Sequence, residues 1–454
     1  MPPEPEQQRI KIAVFCILSS EPTVRKTLSY HFPEWEKFNE IIVAPVLDQW
    51  RTAKPHVRSK IDEAVPKYSD FVQLIFLDGL EWTGQIGGGD DLRQIIRMAS
   101  TDEFYKKIPA ILRGLGLDWL THTENKLSKW RHGSVDRNHI ENWLQQFEKL
   151  GSHRWVGEGL LKVIDFWPED RLLSSVGLTA EALVEFDRVC FQQSESGKSA
   201  DVLANLFAKQ IKPLNPKFPK IENFYDVLID GDSSSNKNIL FIEDGLFSGT
   251  EMTRIFGDLL GISDPHGRQE KIEKLQNVSQ LRDKKVKLLF PVATSFGVAR
   301  LNKFLATNSL SNVEVCPCSH GNIEVLSEVG KAAFQSDQFF EPAIRNCPTD
   351  PDNFFLKIPF QNMSVWKKTK DARRAADFCR NVGEQLFRQY IQAQKWTWHE
   401  TKIQRCALGM YGMGLAFAFA HSVPKASLPL FWASGTVKLG RKPVNWEPLF
   451  PNAA

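Results

Sequence analysis

Cysteine is scarce in this sequence: seven in 454 residues, at Cys16, Cys190, Cys316, Cys318, Cys347, Cys379 and Cys406. The number is odd and no Cys-x-x-Cys pair occurs, which argues against a disulfide framework and fits a reducing, cytoplasmic compartment. Cys316, Cys318 and His320 stand close together, and Cys347 would have to complete them as a metal site. Cys-Pro-Cys is not a zinc-ligand spacing, so buried or incidental thiols are expected. Long apolar runs are missing too. Leu408 to His421 is interrupted by Gly409, Gly412 and Gly414 and falls short of the ~18–20 residues that span a bilayer, so it is expected to be core and no membrane partner is expected. The start of the chain has no basic region leading into an apolar stretch and a small-residue cleavage site, so no signal peptide is read.

Excess charge of one sign is also absent. The net charge is +3, far from the basic profile that by itself points to nucleic acid. Two basic stretches, Lys126 to Arg137 and Lys367 to Arg374, lie beside Trp130 and Trp366. They are read first as solvated helix faces, with phosphate contact and base stacking as the alternative, so direct nucleic-acid binding stays open.

A single core rarely grows past ~250–300 residues, so several units are expected. Residues 1–120 read as a small α/β lobe, with strand-like runs at Ile10 to Leu18, Glu40 to Pro45 and Phe71 to Leu77. Asp48, Asp78 and Glu81 in this lobe are better read as surface or capping carboxylates than as a nuclease metal cluster, because no acidic-x-Lys pair follows a strand. Residues 121–185 read as a helical segment. Ile140, Trp143, Leu144, Phe147 and Leu150 recur at helical spacing, Leu160, Leu161 and Ile164 continue after a break at Gly151 to His153, Asn138 is the expected N-cap and Pro168 the expected stop.

Residues 186–323 alternate short apolar strands with amphipathic helices, the signature of a mostly parallel sheet. Strands are expected at Arg188 to Phe191, Tyr225 to Ile229, Asn238 to Ile242 and Val286 to Ala293, with Val313 to Cys316 as a fifth. Helices are expected at Ser199 to Ile211, Thr250 to Leu260 and Phe296 to Leu305. Residues 324–454 are expected to be a helical and irregular C-terminal extension on this core.

The chemistry concentrates between Asn238 and Met252. Ile239 to Ile242 form a strand apolar on both faces, as a strand covered by helices on both sides must be. Glu243 and Asp244 follow at its carboxyl end, where ligands of open α/β sheets bind. Adjacent carboxylates there can accept hydrogen bonds from vicinal ribose hydroxyls and help hold a divalent cation. The turn Phe247-Ser248-Gly249-Thr250-Glu251 then leads into a helix, whose N-terminal N–H groups suit phosphate. A second loop, Ser194 to Ser199, follows the first strand of the domain. Ser196, Gly197, Lys198 and Ser199 are read as a pyrophosphate loop in which Lys198 supplies a point charge to a leaving group. A nucleotide P-loop would want glycine where Gln192 stands, and a turn without a ligand is the third possibility.

Glu243-Asp244-Gly245-Leu246-Phe247-Ser248-Gly249-Thr250 resembles the phosphoribosyl-pyrophosphate motif of type I phosphoribosyltransferases: two acids, two apolar residues and a Thr-Gly element before a helix. The resemblance implies a Rossmann-like, mostly parallel sheet and Mg²⁺-assisted displacement of pyrophosphate at the ribose anomeric carbon, with Glu243, Asp244 and Lys198 as the catalytic residues and Glu243 and Asp244 on the metal. One departure is Glu251, where that family usually carries a small hydroxyl residue; a carboxylate there opposes phosphate unless it points away.

A narrower resemblance covers most of the chain. The helical segment with Trp143 and Phe147, the Phe-Ser-Gly turn, and the tail from Gly409-Met410-Tyr411-Gly412 through Pro424 to Leu428-Pro429-Leu430-Phe431-Trp432 are similar to the phosphoribosyltransferase-like (PRTase-CE type) proteins of bacterial conflict systems. These are candidate effectors in antiphage defence loci, including retrons. The resemblance implies a ligand such as phosphoribosyl pyrophosphate or a nucleotide, and protein partners from a defence operon, among them a reverse transcriptase with its RNA. Two readings follow: an effector enzyme acting on a ribosyl-phosphate or nucleotide, and a catalytically inactive nucleotide-sensing or scaffold subunit.

Overall fold

The computed structural model describes residues 11–17, 21–31, 41–47, 71–76, 96–98, 119–130, 135–177, 185–191, 204–209, 222–229, 238–262, 281–335, 348, 350–440 and 442–451. The chain divides into two compact units, Met1–Lys126 and Leu127–Ala454. In the first, β1 (Lys11–Ile17), β2 (Ile41–Leu47), β3 (Phe71–Phe76) and β4 (Ile96–Met98) form a parallel sheet in the order β2-β1-β3-β4, with helix α1 (Glu21–His31) between β1 and β2. The α/β reading of this lobe holds. Asp48, Asp78 and Glu81 lie outside the described residues.

The second unit begins with the expected helical hairpin, α2 (Arg137–Lys149) and α3 (Arg154–Val163). Its cap is not Asn138. Asp136 accepts the hydrogen bond from His139 N, because an N-cap carboxylate reaches the N–H three residues on. Nor does Pro168 stop the second arm: α3 ends at Val163, a short strand β5 (Asp165–Trp167) follows, and Pro168 caps the next helix, Glu169–Val176.

Next comes the parallel sheet. Five strands, β6 (Arg188–Phe191), β7 (Glu222–Asn223), β8 (Asn238–Ile242), β10 (Lys285–Phe290) and β12 (Val313–Pro317), lie in the order β12-β10-β8-β6-β7. β8 is central, with Ile239 in register with Val286 of β10 and Arg188 of β6. The expected strand Tyr225 to Ile229 is instead a helix, Phe224–Ile229. Among its described side chains Phe224, Val227 and Leu228 are buried, spaced i, i+3, i+4, a helical pattern too short to be told from a strand.

Beyond the carboxyl ends of β8, β10 and β12 the chain makes a second, three-stranded sheet from β9 (Gly245–Leu246), β11 (Val292–Thr294) and β13 (Asn322–Ile323), with β11 in the middle. The single strand expected over Val286 to Ala293 is therefore two. Pro291 divides them, since its nitrogen has no hydrogen to give a ladder. Helices α4 (Thr250–Leu259) and α5 (Ser295–Thr307) contribute Met252, Ile255, Phe256, Leu301 and Leu305 to a core shared with Phe241, Leu288 and Phe290.

The C-terminal part is built on the 25-residue helix α6 (Thr369–Ala393). The Gly-rich apolar run after it is core, as expected, but it is not helical: a 3-10 turn at Met410–Gly412 leads to strand β14 (Phe417–Phe419), which pairs in parallel with β5. The hairpin and tail are bound to each other. Trp143 Nε1 donates to Leu430 O at 3.2 Å, and Gln146 exchanges two hydrogen bonds with the Glu447 backbone. No described helix is long and apolar enough to cross a membrane.

Candidate functional site

β8 delivers Glu243 and Asp244 to the edge where the two sheets meet. Glu243 N donates to Leu289 O at 3.2 Å, which fixes the backbone. Its Oε2 is buried and has no hydrogen-bond partner among the described residues. Burial first, then the neighbouring charges of Asp244 and Glu251, push the Glu243 carboxyl well above the ordinary glutamate range. Asp244 is 8 % exposed. Its Oδ2 accepts from His421 Nε2 at 2.8 Å and from Ser422 Oγ at 3.3 Å, and neither contact uses Oδ1.

Burial of this acid makes stability depend on pH. The unfolded chain releases the Glu243 proton near the ordinary glutamate pKa while the folded chain holds it, so folding loses stability as pH climbs from that value toward the raised one. Glu243→Gln has no proton to lose. In chelator, its denaturant midpoint is expected to match wild type near pH 4 and to move above it as the buffer is taken to pH 8. A difference that stays flat or runs the other way would show that Glu243 is ionised at little cost.

After the acids the chain folds tightly. Phe247 lays its ring back over Gly245, where a Cβ would collide with it, and the same ring meets Phe417 and Phe419 of β14 at 5.4 and 6.0 Å. The turn is clamped from below by the start of α5: Thr294 Oγ1 donates to Phe247 O and accepts from Gly297 N. Gly249 caps α4 with φ +69°, in the left-handed region, and a Cβ on it would lie 2.9 Å from Gly297 O. Glycine is required twice over, by the backbone angle and by the close approach.

Arg300, one turn into α5 and 4 % exposed, closes the turn. Its Nη1 donates to Ser248 O at 3.1 Å, Thr250 Oγ1 at 2.8 Å and Tyr411 OH at 3.0 Å. Thr250 Oγ1 and Tyr411 OH share a further hydrogen bond of 2.6 Å, and Ser248 Oγ lies 2.9 Å from Thr250 Oγ1. Arg300 Nε is buried without a partner. The guanidinium thus brings positive charge to the N-terminus of α4, adding to the helix dipole. Glu251, the departure from the motif, has a 61 % exposed side chain with Arg254 Nη2 3.9 Å away, and its charge is still felt at Glu243.

The structure therefore brings Glu243, Asp244, Phe247, Ser248, Gly249, Thr250 and Glu251 into one turn. Ser196, Gly197, Lys198 and Ser199 lie outside the described residues. Of the Cys316, Cys318, His320 and Cys347 candidate, Cys347 lies outside the described residues; among the described residues no group of three or more His, Cys, Asp or Glu is placed to hold an ion, and the Cys316 thiol is pushed up to about 12 by burial and Glu314. Trp130 and Trp366 are each 3 % exposed, which leaves neither ring face for a base. Three residues given no site role in the sequence, Arg300, Tyr411 and His421, hold the site together. Tyr411 stood in the Gly-rich tail motif and His421 is a polar residue ending an apolar run, while Arg300 carried no local signal.

The family model described as PRTase-CE matches residues 140–452. The chain belongs to the PRTase-CE family. The match takes in most of the hairpin, the parallel sheet and the tail that carries Tyr411 and His421, and so the elements described above as touching the turn. The phosphoribosyltransferase-like resemblance read from the Glu243 to Thr250 motif is borne out at the level of family and fold. Comparisons with curated proteins and with solved structures yield no match.

Proposed function

We propose that this PRTase-CE protein acts on a ribosyl-phosphate or nucleotide at the Glu243–Thr250 turn, as an effector of an antiphage defence system. One observation carries the reading: at the carboxyl end of the central strand, Glu243 Oε2 has no partner and the Asp244 contacts leave Oδ1 unused. Carboxylates on adjacent residues at a strand's carboxyl end suit the vicinal hydroxyls of a ribose, and the amino end of α4, with Arg300 behind it, suits the phosphate. The same oxygens fit a magnesium ion, which takes one or two carboxylates and draws its other ligands from water and substrate phosphates. When bound, that ion would neutralise charge on a departing pyrophosphate. Lys198 is the residue proposed for the leaving group, on the order of elements in the sequence. Catalysis would consist largely of positioning and electrostatic stabilisation of an oxocarbenium-like centre.

The defence setting, with operon partners that include a reverse transcriptase and its RNA, rests on the resemblance of motif and tail. Asp244→Asn keeps an acceptor for His421 and removes the charge. It is expected to lower affinity for phosphoribosyl pyrophosphate, measured by calorimetry with Mg²⁺, by tenfold or more, and to abolish phage protection and any change in nucleotide pools on infection. Binding and protection both unchanged would end this reading. A second reading, a sensor or scaffold that binds a nucleotide without turning it over, is favoured by the tail covering Asp244 and engaging the Thr250 hydroxyl. Ligand binding and protection with no product and no change in nucleotide pools would select it.

A further inference from the structure

Asp244 is held by a histidine from the far end of the chain, His421. His421 stands 177 residues after Asp244 in the chain, yet its side chain is fully buried against it. Its orientation is fixed on several sides. β14 runs in register with β5, Phe419 opposite Trp167, and Ala420 N donates to Trp167 O at 2.9 Å. Phe419 N closes the following turn on Ser422 O at 2.9 Å. The imidazole lies 5.3 Å from the Phe419 ring at an interplanar angle of 11°. Between an imidazole and a carboxylate the oxygen accepts, so Nε2 carries the hydrogen.

Both donors from the tail, His421 Nε2 and Ser422 Oγ, land on Oδ2. A carboxylate held at one oxygen by a rigid donor has its plane set, and the other oxygen is presented in one direction. We propose that His421 is a positioning residue that aims Asp244 Oδ1 at a ribose hydroxyl, so that discrimination between ribose and deoxyribose phosphates is set from the C-terminal segment. The inference rests on the sugar-phosphate reading of the turn and deepens it. A site built to accept a hydroxyl rejects the analogue that lacks it far more strongly than it rejects a small change in apolar bulk.

The test uses the full chain and two probes, ribose 5-phosphate and 2-deoxyribose 5-phosphate, titrated by calorimetry beside thermal unfolding. Wild type is expected to prefer the ribose compound. His421→Phe keeps an aromatic ring against Phe419 and deletes the donor; it is expected to lose about tenfold in ribose 5-phosphate affinity and little for the deoxy compound, so the preference collapses. His421→Gln, with an amide N–H near the Nε2 position, is expected to restore most of the preference. A merely structural histidine would weaken both probes together or lower only the melting temperature. If His421→Phe does not fold, His421→Met takes its place. A folded donor-less variant that keeps the wild-type preference, while Asp244→Asn loses it, overturns the role of His421 and leaves the site reading standing. Wild type binding neither probe overturns both.

Discussion

Trp143→Ala is expected to remove ~3–5 kcal/mol of stability, the usual cost of deleting a large aromatic from a core. Trp143 is 1 % exposed. Its ring meets Phe147 edge-on at 4.7 Å, stacks on Phe431 at 6.0 Å and approaches Trp446 at 6.3 Å, while Nε1 donates to Leu430 O. Alanine would leave a void between the hairpin and the tail and strip Leu430 O of one donor, although Trp446 Nε1 also reaches that oxygen at 3.2 Å. The loss should therefore come mainly from packing. Trp143→Phe, which keeps most of the apolar volume, is expected to recover more than half of it. Urea unfolding of the three proteins decides the matter; an alanine variant within ~1 kcal/mol of wild type would mean that hairpin and tail are only loosely joined.

Gly249→Ala carries the second large effect, expected at ~2–4 kcal/mol, together with loss of the sugar-phosphate binding proposed for the turn. Two costs add. A non-glycine residue in the left-handed region costs ~1–2 kcal/mol, and the new methyl meets Gly297 O, a backbone atom that cannot swing aside. Gly177 provides the control, because it has φ +57° and nothing within 4 Å of where a methyl would sit. Gly177→Ala should thus show the conformational cost alone, at ~1 kcal/mol, with ligand binding intact. Equal melting temperatures for the two variants would mean that the turn yields at Gly297 without cost.

The parts of the fold that could be read from the residues were those in which a local pattern is also the tertiary answer. Ile239 to Ile242 of β8 are apolar because all four are buried in the sheet, and α2 shows its buried stripe in the spacing from Ile140 to Phe147. Where the pattern was short, it misled. Phe224 to Ile229 offers six residues that suit either a strand or a helix, and the three-stranded sheet is made of strands of two or three residues, below the length at which a period can be seen. At the site, the acids and the Ser-Gly-Thr turn are contiguous and so were legible. Arg300 and His421 were not, because their partners are set by how α5 and β14 dock, and nothing within a few residues of either marks the contact.

The distance along the chain between Asp244 and its histidine has a consequence during synthesis. The acids leave the ribosome with Oδ2 unclaimed, and at ~5–20 residues per second roughly ten to thirty-five seconds elapse before His421 is added. A nascent or prematurely terminated polypeptide can form much of the parallel sheet in that interval and still lack the oriented carboxylate. If the protein harms its host when active, unfinished copies are the ones least able to do so.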